Sequence, residues 1–159
     1  MTTIDVRRAR EDDGPALGRM GALLLRAHYA FDQQRFLAPR GNPEEGYAWF
    51  LRSQLAEPDV AVFVAERDGV VVGYVYAGLE PMSWKELRGP AAFVHDIVVD
   101  EPSRRLGVAE LLLRAAFDWV KAQGAPRVLL WTAEGNVDAH RLFARLGFRR
   151  TMIEMTREL

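Results

Sequence analysis

The chain has 159 residues, of which 49% are hydrophobic and 27% are charged, and its formal net charge at pH 7 is −1. These values predict one domain over residues 1–159 with a substantial core, and a near-neutral charge implies neither a nucleic acid nor a membrane surface as partner. The absence of cysteine excludes disulfides, thiolate nucleophiles and sulfur-rich metal sites. Because the N-terminal residues are charged and no stretch is apolar enough for a signal peptide or a membrane span, we expect a cytoplasmic protein. We also expect no bound metal.

The first third of the chain predicts one strand followed by two helices. Residues 3–9 alternate weakly and favour a strand. Residues 11–31 begin with acids and continue with apolar residues at helical spacing, which predicts a helix. After a loop rich in Pro and Gly at 36–43, the segment 43–58 begins with Pro and acids and stops at Pro58, which predicts a second helix.

A β-hairpin is the clearest local signal. Two β-rich runs in residues 59–79 flank Asp68 and Gly69, a pair that favours a type I′ turn. Gly73 inside the second run predicts a bulge or a close backbone approach.

The second half of the chain predicts a βαβ unit and a further helix. The predicted elements are a polar connection at 80–90, a strand at 91–99, a helix from about 106 to 123, a strand at 127–132, a helix at 136–148 and a last strand from Phe148. The strands at 91–99 and 127–132 should be parallel, with a right-handed crossover. We therefore expect an α/β fold with a mixed, largely antiparallel twisted sheet, one parallel βαβ unit and helices on both faces.

The stretch "RRLGVA" at 104–109 predicts an anion site. It lies between the end of a strand and the first turn of a helix, where backbone N–H groups lack partners and carry partial positive charge. Gly107 and Ala109 would let a phosphate approach, and Arg104 and Arg105 add positive charge. From local physics alone, an alternative is equally good: Gly107 only allows a tight turn, and the two arginines are ordinary solvated surface residues.

The wider pattern resembles a known family. R-x-x-G-x-A at 104–109 follows the strand "HDIVVDEP", and "GNVDAHRLFARLGF" then keeps Asn136, Ala139, Leu142 and Gly147-Phe148 at fixed spacing. In this order the motifs resemble the GNAT superfamily of acyl-CoA-dependent N-acyltransferases, and the resemblance is strongest over residues 93–148.

The resemblance implies acetyl-CoA as co-substrate and a set of residues that would hold it. The backbone of Ile97, Val98 and Val99 would bind the pantetheine arm where two strands splay apart. Asn136 would contact the cofactor further along, although it could equally be a helix N-cap. The diphosphate would lie on backbone N–H groups of the 104–109 loop, which comprises Arg104, Arg105, Leu106, Gly107, Val108 and Ala109.

Phe143 departs from the family pattern. The resemblance puts a tyrosine there, beside the cofactor, to protonate the leaving thiolate. Without that tyrosine, the sulfur must leave as a thiolate. For a thiol with a pKa near 8.5, which is about 1.5 units above pH 7, this costs only roughly 2 kcal/mol. His140 on the same helix could substitute as the acid.

Direct transfer is the predicted mechanism, because without cysteine no thiol acyl-enzyme can form. The attacking amine must lose a proton, and His95 and Asp96 are the candidates to accept it. In a regular strand these two point to opposite faces, so at most one should reach the acetyl group unless a bulge intervenes. A strand residue satisfied by a neighbouring loop is the competing interpretation for each.

Aromatic residues in loops are candidates for the acceptor site. We predict that Trp84, Tyr29 and Phe31 form substrate walls, although half-buried packing would explain them as well. Three other aromatics, Trp131, Trp119 and Phe93, are predicted to belong to the core, and His28 to the surface.

The sequence thus predicts an N-acetyltransferase acting on a primary amine of a small molecule or peptide. A homodimer is one possible assembly. The alternative is a non-catalytic or weakly active acyl-CoA-binding or sensing domain that has lost the acid at Phe143. A nucleotide-binding fold of another kind fits poorly, because the glycines and lysine of the phosphate-binding motifs are missing.

Overall fold

The computed structural model describes residues 3–159, in which five strands form one sheet in chain order. The strands are β1 (Ile4–Arg8), β2 (Val60–Arg67), β3 (Val70–Glu80), β4 (Ala91–Val99) and β5 (Val128–Leu130). The first four are antiparallel to their neighbours, and β5 pairs parallel with β4. The predicted mixed sheet with one parallel βαβ unit is therefore confirmed.

Helices cover both faces of this sheet. They are α1 (Gly14–Phe31), α2 (Pro43–Gln54), α3 (Val108–Ala122) and α4 (Val137–Arg145), with 3₁₀ turns at Glu11–Asp13 and Glu101–Ser103. On one face Leu17 of α1 and Leu51 of α2 pack around Tyr74 of β3. On the other face Leu112 of α3 and Phe143 of α4 pack with strand residues that include Val75, Ala77 and Val94. Because strand side chains alternate between faces, β3 and β4 contribute to both cores.

The β2–β3 hairpin forms as its turn residues predict. Asp68 and Gly69 have φ values of 52° and 77°, the left-handed region that a type I′ turn requires at both positions. Gly73 makes the expected close approach, since a Cβ built on it would lie 2.8 Å from the carbonyl oxygen of Val98. The pairing register also shifts between Ala65 and Glu66, next to the partner of Gly73.

An ion cluster fastens the first strand to the start of α1. The Arg7 guanidinium donates two hydrogen bonds to the Asp13 carboxylate, at 2.8 and 2.9 Å, and its Nε donates to Glu66 of β2 at 3.0 Å. The Asp13 carboxylate also accepts from the backbone N–H of Arg10 at 2.7 Å. Only 8% of Asp13 is exposed, so this bidentate pair is shielded from water.

The strands β4 and β5 part after a short pairing. Only three residue pairs join them, from Ala92 opposite Val128 to Val94 opposite Leu130. Residues 96–99 of β4 remain paired with β3 on one side, and among the described residues no strand pairs with them on the other. The sheet therefore has an open V between β4 and the end of β5.

The chain after α4 does not form the last strand that the sequence predicted. No strand forms from Phe148 onward, because the N–H of Phe148 closes α4 on the carbonyl of Phe143 and residues 149–159 join no sheet ladder. Met152, Ile153 and Met155 are consequently exposed. The tail is attached through an ion pair between Glu154 and Arg35.

Two other predicted boundaries shift inward. The third helix begins at Val108 rather than near 106, because Arg105 and Gly107 have φ values of 63° and 79° and cannot belong to a right-handed helix. The strand predicted at 127–132 is limited to β5, where the ladder with β4 ends.

Candidate active site

The loop between β4 and α3 presents a row of backbone donors. Its entrance is fixed by Asp100, whose side chain accepts a hydrogen bond from the N–H of Ser103 at 3.1 Å. Within residues 3–159, none of the backbone N–H groups from 105 to 110 donates to another protein group. These groups include the first turn of α3, where the helix dipole adds partial positive charge. The loop therefore has the geometry of an anion site.

The side chains of this loop leave space over those donors. A Cβ built on Gly107 would meet no atom within 4 Å. Arg105 and Leu106 point into solvent, whereas Val108 is buried and anchors the start of α3. The Nε of Arg104 donates to the carbonyl oxygen of Val99 at 3.2 Å, so this arginine ties the loop to the end of β4.

The open edge of β4 adjoins the same loop. The N–H of Asp100 donates to the carbonyl oxygen of Val72 in β3 at 2.9 Å. This bond shows which residues of β4 direct their backbone groups toward β3, since these residues alternate along an antiparallel strand. By that alternation Val98 bonds to Tyr74 of β3, while the N–H and C=O groups of Ile97 and Val99 face the open V. Of the three residues predicted to bind the pantetheine arm, Val98 has its backbone paired with β3, Ile97 faces the open V, and the carbonyl of Val99 also accepts the hydrogen bond from Arg104.

A bulge in β4 brings His95 and Asp96 to one face. Asp96 is opposite Tyr76 and Val94 is opposite Ala77, so His95 is an extra residue without a partner on β3. A regular strand would point the two side chains to opposite faces, as the sequence predicts, but an inserted residue changes that alternation. His95 contacts the ring of Tyr76, and Asp96 contacts Tyr74, whose ring lies in the core under α1 and α2.

Asp96 is held inside a cluster of tyrosines. The hydroxyl of Tyr74 donates to its Oδ2 at 2.8 Å. Burial raises the pKa of the Asp96 carboxyl, and the Tyr74 hydrogen bond offsets part of that shift. Burial and the charge of Asp96 likewise raise the pKa of the Tyr47 and Tyr74 hydroxyls, so both remain protonated donors at neutral pH.

His95 has a different setting, beside a carboxylate and against rings. Its Nε2 lies 3.2 Å from Oε1 of Glu80, and because a carboxylate only accepts, this nitrogen carries the proton. The lone pair is then on Nδ1. The imidazole is stacked on Phe93, with centroids 5.7 Å apart and planes 9° apart, and lies 4.9 Å from the ring of Tyr76.

His95 also opens onto a cavity of about 250 Å³. The cavity is lined by Glu80, Glu86, Arg88, Phe93, Val94, His95 and Trp131. Trp131 corrects a prediction: it follows β5 directly, where no helix covers the sheet, and is 74% exposed rather than part of the core. Trp119 and Phe93 are packed as predicted.

The sequence reasoning missed Glu80 and Trp131. Glu80 is the last residue of a hairpin strand, and a strand register with a bulge at His95 was needed to bring the two together. An acid at the end of a strand that precedes a His-containing strand was the only available signal.

The predicted residues of α4 have structural partners. Asn136 caps the helix, because its Oδ1 accepts the N–H of Ala139 at 3.3 Å. His140 has its Nε2 2.9 Å from the carbonyl oxygen of Ala133, which ties the helix to the loop before it. Phe143 is 6% exposed and packs edge-on against Phe148 in the core, so no hydroxyl group stands at this position.

The three predicted substrate aromatics are not brought together. Trp84 is 81% exposed in the β3–β4 connection, and Phe31 is next to Gly135. Tyr29 lines a second hollow of about 400 Å³ between α1 and α2. His28, predicted to lie on the surface, is half-buried against the rings of Phe31 and Phe36 and holds the Leu24 carbonyl with its Nδ1.

The part of the chain that the structure describes contains no helix long and apolar enough to cross a membrane. Over the same residues no group of three or more His, Cys, Asp or Glu side chains is arranged to hold a metal ion.

Solved structures share this fold. A mutant of the BH1408 protein from Bacillus halodurans superposes with a TM-score of 0.83 at 21% identity, covering 98% of this chain and 99% of that one. The aminoglycoside N-acetyltransferase AAC(6')-Iy in complex with CoA superposes with a TM-score of 0.77 at 19% identity, covering 100% of this chain and 96% of that one.

Curated sequences add closer relatives. The chain is 34% identical over 120 residues to aminoglycoside N(6')-acetyltransferase type 1 of Serratia marcescens, which covers 72% of this chain and 80% of that protein. It is 32% identical over 120 residues to a mycothiol acetyltransferase of Thermomonospora curvata, again over 72% of this chain but only 38% of the relative's length. The sequence profile of the acetyltransferase (GNAT) family matches residues 24–148. The fold, the loop before α3 and these matches lead to one conclusion: the chain belongs to the GNAT acetyltransferase family.

Proposed function

We propose that this protein transfers the acetyl group of acetyl-CoA directly to a primary amine of a small molecule. The observation that carries the proposal is the row of free backbone N–H groups at 105–110, continuous with the open edge of β4 at Ile97 and Val99. A diphosphate fits the first and an extended amide-containing arm fits the second. The CoA bound to a structural neighbour and the N-acetyltransferase names of the relatives support the same assignment.

The chemistry proposed for the chain's own residues centres on His95. The amine nitrogen attacks the thioester carbonyl, a C–N bond forms, the C–S bond breaks, and the thiolate leaves. Nδ1 of His95 accepts the amine proton, because Nε2 is held in its protonated form by Glu80. Asp96 is the weaker candidate, because its carboxylate is engaged by Tyr74 and does not line the cavity.

The departing thiolate takes its proton from water in this scheme. No hydroxyl stands at Phe143, and His140 is already bonded to the Ala133 carbonyl through one nitrogen. A thiolate with a pKa near 8.5 leaves at pH 7 with a penalty of only about 2 kcal/mol.

A negative charge introduced into the loop tests the proposal. Gly107→Glu introduces a carboxylate over the free donors, so CoA affinity measured by calorimetry should fall at least about thirtyfold, the equivalent of about 2 kcal/mol. Gly124→Glu is the matched control: it has a φ of 75°, lies beyond the other end of α3, and its Cβ would also meet open space.

Both variants carry the same backbone strain of roughly 1–2 kcal/mol, so equal stability with unequal affinity isolates the loop. Unchanged CoA affinity in the Gly107 variant would overturn the assignment.

The absence of a tyrosine at Phe143 favours one second candidate, a domain that binds acyl-CoA without turning it over. Binding of CoA with no acetylated product from any amine would support that candidate, and one acetylated amine would exclude it.

A further inference from the structure

The cavity beside His95 has walls of rings that meet at a corner. Phe93 is stacked with His95 at 9° and meets Trp131 edge-on at 90°, with centroids 6.0 Å apart. Phe93 is only 7% exposed and is covered by His95 and by the Arg88 guanidinium, whereas Trp131 lines the cavity with 74% of its surface in water. The ring surface that remains open to a flat ligand is therefore that of Trp131, with Phe93 fixed at its edge.

The charges on the walls leave one carboxylate for a cation. Glu86 is ion-paired with Arg88, whose guanidinium also donates to the carbonyl of Pro81 at 2.8 Å and lies 4.8 Å over the ring of Phe93. Among the described residues, Glu80 pairs with His95, and this contact is an ion pair only when the imidazole is charged. When His95 is neutral, the negative charge of Glu80 is therefore not neutralised by this contact. A single ammonium group is therefore matched, whereas a second one would approach Arg88.

Volume sets a further limit. The cavity holds about 250 Å³, below the roughly 300–1,000 Å³ that encloses drug-sized ligands. A body of one ring matches this volume, whereas a ligand with several rings would extend beyond the walls of the cavity.

We propose that the acceptor is a small primary amine with one positive charge and one flat apolar ring. The ring would pack against Trp131 beside Phe93, and the amine would lie near the Glu80 carboxylate and within reach of Nδ1 of His95. This inference rests on the proposed acetyl transfer and adds the class of acceptor, which differs from the multiply charged amino sugars named by the aminoglycoside relatives.

The test compares amines that share the reacting group. Acetylation of 2-phenylethylamine, n-butylamine, spermidine and kanamycin is followed by mass shift with acetyl-CoA, and binding of each amine to the CoA complex is measured by calorimetry. We expect kcat/KM to be highest for 2-phenylethylamine, about tenfold above n-butylamine, because one aromatic contact is worth up to about that factor.

Two tryptophan variants locate the site. Trp131→Ala should lower kcat/KM and affinity for 2-phenylethylamine about tenfold and leave n-butylamine nearly unchanged. Trp49→Ala is the matched control, because Trp49 of α2 is 71% exposed but does not line the cavity, and it should behave as the unaltered protein.

The outcomes separate this inference from the proposed function. Kanamycin or spermidine acetylated better than 2-phenylethylamine, or equal loss in both tryptophan variants, would overturn the acceptor class and leave acetyl transfer standing. Trp131-dependent binding of 2-phenylethylamine with no acetylated product would support the pocket and overturn the transfer. Neither binding nor product would overturn both.

Discussion

His95 is an imidazole whose two nitrogens have different surroundings. Nε2 is turned to Glu80 and Nδ1 is left for the reaction, which is the arrangement expected of a base with an orienting carboxylate. Asp96, its neighbour in the chain, is half-buried and bonded to Tyr74. We therefore propose separate roles for these two adjacent polar residues, proton transfer for His95 and positioning of the tyrosines for Asp96.

Substitution of these residues distinguishes their roles. His95→Asn should lower kcat about 10²–10⁴-fold at pH 7 with little change in the KM for acetyl-CoA, because a positioned base contributes in that range. Raising the pH should recover part of the rate as the amine loses its proton in solution.

Glu80→Gln keeps a hydrogen-bond acceptor and should cost less than the His95 change. A rate unaffected by His95→Asn but abolished by Asp96→Asn would move the base to Asp96.

At the scale of elements, the contact between β3 and β4 depends on one missing side chain. Gly73→Ala would place a Cβ 2.8 Å from the Val98 carbonyl oxygen, which belongs to backbone and cannot turn aside. We expect a loss of about 1–3 kcal/mol in the free energy of unfolding, measured by denaturant titration.

Gly46→Ala is the control for the Gly73 substitution. Its Cβ meets nothing within 4 Å, and it lies inside α2, so the change should stabilise by about 0.5–1 kcal/mol. Two variants of equal stability would show that the strands separate more easily than this contact implies.

Local elements were also the part that the sequence could predict. The Asp68-Gly69 turn follows from short-range chemistry and forms as expected, and a loop precedes α3 as predicted, although it runs through Gly107 and the helix begins at Val108 rather than near 106. The bulge at His95 depends on how β4 is paired with β3, and the exposure of Trp131 depends on where β5 ends. These are tertiary properties, which periodicity along one strand does not contain.

At the scale of the whole molecule, the sheet between the two helical layers opens at the V between β4 and β5. The resemblance predicted a gap of this kind, but the residues that line the acceptor side had to come from the structure. Tyr29, Phe31 and Trp84 were chosen as loop aromatics, but Tyr29 and Phe31 belong to the last turn of α1, Trp84 lies in the β3–β4 connection, and none of the three lines the cavity beside His95.

Stability of the whole fold should depend on the ion cluster of the first strand. The hydrogen bonds from Arg7 hold the pKa of Asp13 below its usual value of 3.8. A lowered pKa in the folded state contributes stability that is complete above 3.8 and is lost as the pH falls through the lower folded value. Asp13→Asn should therefore cost about 1–3 kcal/mol at pH 7, and the difference from the unaltered protein should shrink below about pH 4.

Thermal unfolding over a range of pH measures this dependence. Glu110→Gln is the comparison, because its pair with Arg114 lies on the surface of α3, where water and salt screen the charges, and its loss should change stability little at any pH. A pH-independent difference for the Asp13 variant would mean that the carboxylate acts by shape and not by charge.

The extra residue in β4 also explains why the two neighbours of His95 point to opposite faces although they are two positions apart. Val94 lies opposite Ala77 and packs under α3, whereas Asp96 lies opposite Tyr76 and contacts Tyr74 under α1 and α2. Deleting His95 would keep both pairings and restore regular alternation, so we expect the sheet to survive a one-residue deletion that removes the imidazole from the cavity.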